Sequence, residues 1–152
     1  MKYRLKLNCT CEEIFEVISG MFKDDFLQVK GRAIKEDELV PGFTYFKMSN
    51  RQAYKNEADN VAEVTLLEYK YPEKYRFSFK SNTFYRIIGL ETKPLTDDWC
   101  EIIYEEYNEK LNDGKSEDNF AYDGSKVKIE RPSLTKWLMF RNTVKEIKKR
   151  RK

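Results

Sequence analysis

The sequence of 152 residues contains no histidine. That removes the commonest general base near neutral pH. It also removes Ser-His and Cys-His nucleophile pairs, and every zinc site that needs imidazole. Cysteine is scarce: Cys9, Cys11 and Cys100 are an odd number with no Cys-x-x-Cys spacing, unlike a disulfide framework. Reduced, structural thiols in a cytoplasmic protein are the plain reading. No apolar stretch approaches the ~20 residues that cross a bilayer. The opening MKYRLKLNCT alternates charged and apolar residues and has no signal-peptide run. A soluble, cytoplasmic protein with no membrane span is therefore expected. No glycine-rich phosphate loop, nucleotide motif or internal repeat occurs, and neither a cofactor nor a metal is expected.

What is present favours a packed domain. Aromatic residues make up 14% of the chain, which separates it from disordered sequences despite 36% charged residues. Large rings bury enough area each to offset a hydrophilic average. The length suits a single domain over 1–152, with an irregular charged segment at 108–131. The net charge of +3, from 29 basic and 26 acidic residues, is close to balance and does not call for nucleic acid. The basic excess is local, at Lys145 and 148–152. There it complements a helix dipole, and no stacking aromatics interleave with it in sequence, so nucleic-acid binding is not expected.

Periodicity sets the elements. Tyr3, Leu5 and Leu7 alternate with Lys2, Arg4 and Lys6, as in a half-buried strand. Thr10 and Glu13 have capping-box spacing. The helix after them places Ile14, Val17, Ile18 and Met21 on one face, with Phe15 and Phe22 beside it. Gly20 predicts a weak point, and Asp24 and Asp25 predict a cap for a further helical turn. Strands follow at 43–49, 61–69, 75–81, 83–91 and 99–107, with a polar connection at 50–60 and a short helical turn near Glu36 to Leu39. Gly89 predicts a bulge or a close approach. Pro132 and Ser133 open a last helix with a stripe of Leu134, Trp137, Leu138, Val144 and Ile147, and Phe140 alongside. Successive strands with short turns pair antiparallel and need helices to cover one face. The fold class is α+β, a curved antiparallel sheet gripping a C-terminal helix.

This order, with the stretches LKLNCTCEEIFEVI, GFTYFKMS, EYKYPEKYRFSF and WCEIIYEEY, resembles the START-like helix-grip superfamily (SRPBCC). That group includes pollen-allergen-like and polyketide-cyclase-like proteins. Within it, the chain is most similar to a small bacterial family of unknown function. The resemblance covers most of the chain outside 108–131. It implies a hollow between the concave face of the sheet and the C-terminal helix, which in relatives holds lipids, sterols, polyketides or other apolar molecules. Some members catalyse reactions there and others only bind. The C-terminal helix here looks shorter than the grip helix of many relatives.

Tyr75, Phe77 and Phe79 share one strand face. Phe84 or Tyr85 meets them from the next strand, and Trp137 and Phe140 close over them from the helix. Such rings either fill a core, the commoner case, or line an apolar pocket in which tyrosine hydroxyls orient a ligand. The ligand-binding candidates are Tyr75, Phe77, Phe79, Tyr85, Tyr104 and Trp137; no residue is singled out as catalytic. Glu101, Glu105, Glu106 and Glu91 are carboxylates that a pocket would turn into acids or bases, but on a one-sided sheet such residues usually face water. Arg86 is a candidate anion partner. The function read is binding of a small apolar ligand without catalysis. The alternatives are an interaction module with a filled core, or an acid–base enzyme acting on an apolar substrate.

Overall fold

The computed structural model describes residues 1–48, 61–110 and 122–151. Expectations for 50–60 and 111–121 lie outside the described residues. The elements are β1 (Lys2–Leu7), α1 (Cys11–Lys30), β2 (Thr44–Met48), β3 (Val61–Lys70), β4 (Lys74–Lys80), β5 (Phe84–Pro94), β6 (Cys100–Lys110), β7 (Ile129–Glu130) and α2 (Leu134–Arg150). The fold is α+β. Among the described residues, seven strands form one curved sheet in the order β2-β3-β4-β5-β6-β1-β7, antiparallel except for the β1–β7 pair. A register shift between Leu66 and Glu68 marks a bulge, which adds local twist.

The capping box at the start of α1 is formed. The Thr10 N–H donates to Glu13 Oε1 (2.9 Å), and the Glu13 N–H donates to Thr10 Oγ1 (3.1 Å). The helix then runs unbroken through Gly20. Asp25 caps no second helix; it accepts hydrogen bonds from Tyr45 Oη and from Lys47 Nζ (2.8 Å) on β2. Gly31 closes α1 at φ 70°, a left-handed conformation that glycine adopts without a Cβ penalty.

The face that α1 buries differs from the expected stripe. Ile14, Phe15, Ile18, Phe22 and Phe26 are buried, while Met21 is 64% exposed. Three phenyl rings remove more apolar area from water than one methionine, so they set the rotation of the helix. Phe22 meets Tyr45, Tyr75 and Phe77, with centroids 5.6, 6.2 and 5.9 Å away. Phe26 meets Phe43 and Tyr45 at 5.5 and 5.2 Å. Helix α1 thus covers the β2–β4 side of the concave face, and α2 covers the β6–β1 side, where Phe140 packs edge-on against Tyr104 at 5.2 Å.

Only one ridge of α2 is seated: Phe140, Val144 and Ile147 are buried. Of the expected stripe, Leu134 is 72% exposed, and Trp137 and Leu138 are also largely outside the core. The helix meets the sheet at one margin; Leu134 and Leu138 point about a third of a turn or more away from the seated ridge, and Trp137, next to that ridge, sits at its edge.

Candidate functional site

This marginal seating of α2 creates a concavity. The β1–β7 ladder joins only Lys2 to Ile129 and Tyr3 to Glu130. Past Tyr3, the outer edge of β1 has no strand beside it among the described residues. Residues 131–133 lead from β7 into α2, whose first turn is capped by Ser133 Oγ accepting from the Lys136 N–H (3.3 Å). Between the open edge of β1 and α2 lies a groove of about 780 Å³. That volume is within the range of small-molecule sites, roughly 300–1,000 Å³.

Its apolar surface comes from Leu5 and Leu7 of β1, Ile129 of β7, Pro132, and Val144 of α2. Two rings complete it, Trp99 and Trp137, 43% and 44% exposed, and these are the only tryptophans of the chain. Trp99 is held by a turn in which its carbonyl accepts from the Leu95 N–H at 3.0 Å. Trp137, Arg141, Val144, Lys145 and Lys148 follow one another at spacings of 4, 3, 1 and 3, so α2 presents them along one face.

The lining is strongly basic. Arg4, Lys6, Arg131, Arg141, Lys145 and Lys148 stand against a single carboxylate, Glu130. Arg4 has Glu101 3.7 Å away, and Arg141 lies over the Trp137 ring at 5.2 Å, a cation–π contact. With its amide turned so that both ends are satisfied, Asn8 ties the floor to the helix, its nitrogen donating to the Asp98 carbonyl (3.1 Å) and its oxygen accepting from Lys148 Nζ (2.7 Å).

The six residues expected to line a pocket are not all gathered here. Trp137 lines the groove. Tyr75 is 2% exposed, with the rings of Phe15, Phe22, Tyr69 and Phe77 around it. Phe77 shares that cluster. Phe79 meets Phe84 at 6.5 Å, so of the two β5 candidates it is Phe84 that faces it. Tyr85 is on the opposite side of the sheet beside Tyr107, with centroids 6.4 Å apart. Tyr104 points inward onto Phe140, and burial pushes its phenol up to about 12.

The carboxylates also divide by face. Glu106 points inward, where burial works to raise its pKa, but Lys136 and Arg86 outweigh that and hold it below the usual value. Arg86 therefore has an internal anion, Glu106 (3.3 Å). Glu105 points outward yet is buried, because residues 122–126 lie over it. Tyr122 stacks on Tyr107 at 3.9 Å and its hydroxyl donates to Glu105, which also takes Arg76 Nε at 2.7 Å. Burial works against ionisation of Glu105, and Arg76 and Tyr122 prevail and lower its pKa. Cys9, Cys11 and Cys100 are buried at the junction of β1, α1 and β6, and burial raises the thiols of Cys9, to about 11, and Cys100.

Sequence reasoning missed Trp99, Arg4, Lys6, Arg131 and Arg141 as neighbours. They come from four separate segments, and nothing local links them. The 4-3-1-3 spacing from Trp137 to Lys148 was the one legible signal.

Residues 1–121 match the family described as a domain of unknown function, DUF3284. The chain belongs to that family. The DUF3284 match takes in β1 to β6, whereas β7 and α2 follow it. No curated protein matches the chain significantly. Among solved structures it is similar to norcoclaurine synthase from Thalictrum flavum, at 12% identity over 71% of this chain and 68% of that one, TM-score 0.40. It is similar to the Mll3558 protein from Rhizobium loti, at 10% identity over 76% and 81%, TM-score 0.43. It is also similar to protein CV1439 from Chromobacterium violaceum, at 15% identity over 96% and 93%, TM-score 0.38. At such identities and scores these likenesses carry nothing about ligand or reaction. Among the described residues, no helix is long and apolar enough to cross a membrane.

Proposed function

We propose that this DUF3284 chain is a START-like helix-grip protein of the cytoplasm that binds a small molecule with an apolar body, without catalysis, in the groove between β1 and α2. The observation that carries the reading is the groove itself: about 780 Å³, walled by leucines and both tryptophans, beside an open strand edge. Apolar walls supply the free energy by removing ligand surface from water, and the unpaired edge of β1 offers backbone donors and acceptors to orient it. Of the six aromatic candidates, Trp137 would touch the ligand. Tyr75, Phe77, Phe79, Tyr85 and Tyr104 would act through packing. Acid–base chemistry is the weaker reading, because cations hold Glu105 and Glu106 ionised. Reduced thiols buried from oxidants suit a reducing compartment.

The test is native mass spectrometry of protein purified without detergent, before and after denaturation. The reading expects a reproducible extra mass that denaturation releases and that Trp137→Ala, folded by circular dichroism, no longer carries. An adduct retained in full by Trp137→Ala would count against the groove.

A further inference from the structure

The charge around the groove exceeds anything an uncharged apolar occupant requires. Six cations line the groove with one carboxylate, Glu130, and among the described residues only Arg4 of the six has a carboxylate within salt-bridge distance, Glu101 at 3.7 Å. Helix-dipole compensation explains Lys148, in the last turn of α2, and Glu101 stands by Arg4, but neither accounts for Lys6 on β1, Arg131 before α2 or Lys145. Among the described residues, Lys6, Arg131 and Lys145 have no carboxylate within salt-bridge distance. Like charges brought together around a low-dielectric wall repel one another, and a bound anion relieves that repulsion. The same concentration of field draws anions in from solution.

We propose that the occupant is an amphiphilic anion: an apolar ring system or chain laid on Trp99 and Trp137, carrying a carboxylate, sulfonate or phosphate head that the rim cations meet. This rests on the groove being a binding site, as proposed above, and adds the chemical class of the ligand. The two halves of the site divide the work. Burial of the body gives affinity, and charge-assisted hydrogen bonds to the head give selection against neutral molecules of the same shape.

A matched pair of probes separates the two claims. 1-Anilinonaphthalene-8-sulfonate and N-phenyl-1-naphthylamine share a ring system, and only the first carries an anionic group. Both tryptophans line the groove, so quenching of tryptophan emission reports occupancy there. The sulfonate is expected to bind at least about tenfold more tightly than the neutral amine. The advantage should shrink as salt rises toward ~0.5 M. The double variant R131A/K145A should lose most of it, while Lys30→Ala, at the far end of α1, leaves it unchanged; both change exposed side chains, and thermal melting checks their folding. Equal affinity for the two probes would overturn the anionic class and leave the groove as an apolar site. Failure of both to bind would remove the groove reading itself, and this one with it. Displacement of the sulfonate by a single-stranded oligonucleotide that binds more tightly would reassign the cations to nucleic acid.

Discussion

Two glycines show how a single hydrogen in place of a methyl keeps a charge buried. A Cβ at Gly89 would stand 2.8 Å from Glu105 Oε1 and 3.3 Å from its Cβ; at Gly124 it would meet Glu105 Oε2. Glu105 is not free to swing away, since Arg76 and Tyr122 both hold it. Gly89→Ala should therefore cost ~1–3 kcal/mol, the range for overpacking, seen as a lower urea midpoint at unchanged slope. A variant that unfolds with the parent would show that the Glu105 cluster is loose. Gly89 was legible in sequence as a bulge or a close approach, and the ladder runs through it without a bulge. Its partner was not legible, because Glu105 lies on the next strand and the cover over it comes from residues 122–126. A second residue-scale prediction concerns Glu13. Its hydrogen bonds from Arg151 and from Thr10 hold its pKa at about 2 against an ordinary 4.5. A depressed carboxyl stabilises the fold above its unfolded pKa and loses that contribution as pH falls through the folded one. Acid titration of stability between pH 5 and 2 should thus be shallower in Glu13→Gln than in the parent. Identical slopes would mean that Glu13 is unpaired in solution.

At the scale of elements, local chemistry that closes within a few residues was readable, and choices among faces were not. The capping box of Thr10 and Glu13 depends on a spacing of three, and it forms as expected. Thr10→Ala should lower stability by ~1 kcal/mol, as loss of an N-cap usually does, and a melting curve decides it. The rotation of α1 depends on which rings β2–β4 present, and a single chain segment does not carry that information. Met21, placed on the buried face by sequence spacing, is therefore turned to solvent, and Phe22 and Phe26 are buried. Helix α2 makes the same point in reverse. Its apolar residues outnumber the seats at the β6–β1 margin, so Phe140, Val144 and Ile147 are buried and Trp137 is left to the groove. Phe140→Ala should remove ~3–5 kcal/mol and loosen α2, detectable as faster amide exchange along 134–150 than in α1. Equal loss of protection in both helices would show one cooperative unit.

At the scale of the molecule, the two helices divide the concave face. The rings of β4 meet α1, while α2 and the open edge of β1 leave a separate concavity at the margin. The sheet, its antiparallel order and the covering helices followed from strand succession and turn signals. The groove did not, because it depends on where a two-residue strand stops and on cations from separate segments that only the fold assembles. The central claim is that ligands enter this margin and not the interior behind Tyr75 and Phe77. The most direct measurement is a ¹H–¹⁵N correlation spectrum recorded while 1-anilinonaphthalene-8-sulfonate is added. Saturable shifts are expected of both indole N–H signals, from Trp99 and Trp137, and of backbone amides at 4–8 and 137–148. Shifts confined to β4, β5 and α1, with both indoles unmoved, would contradict it.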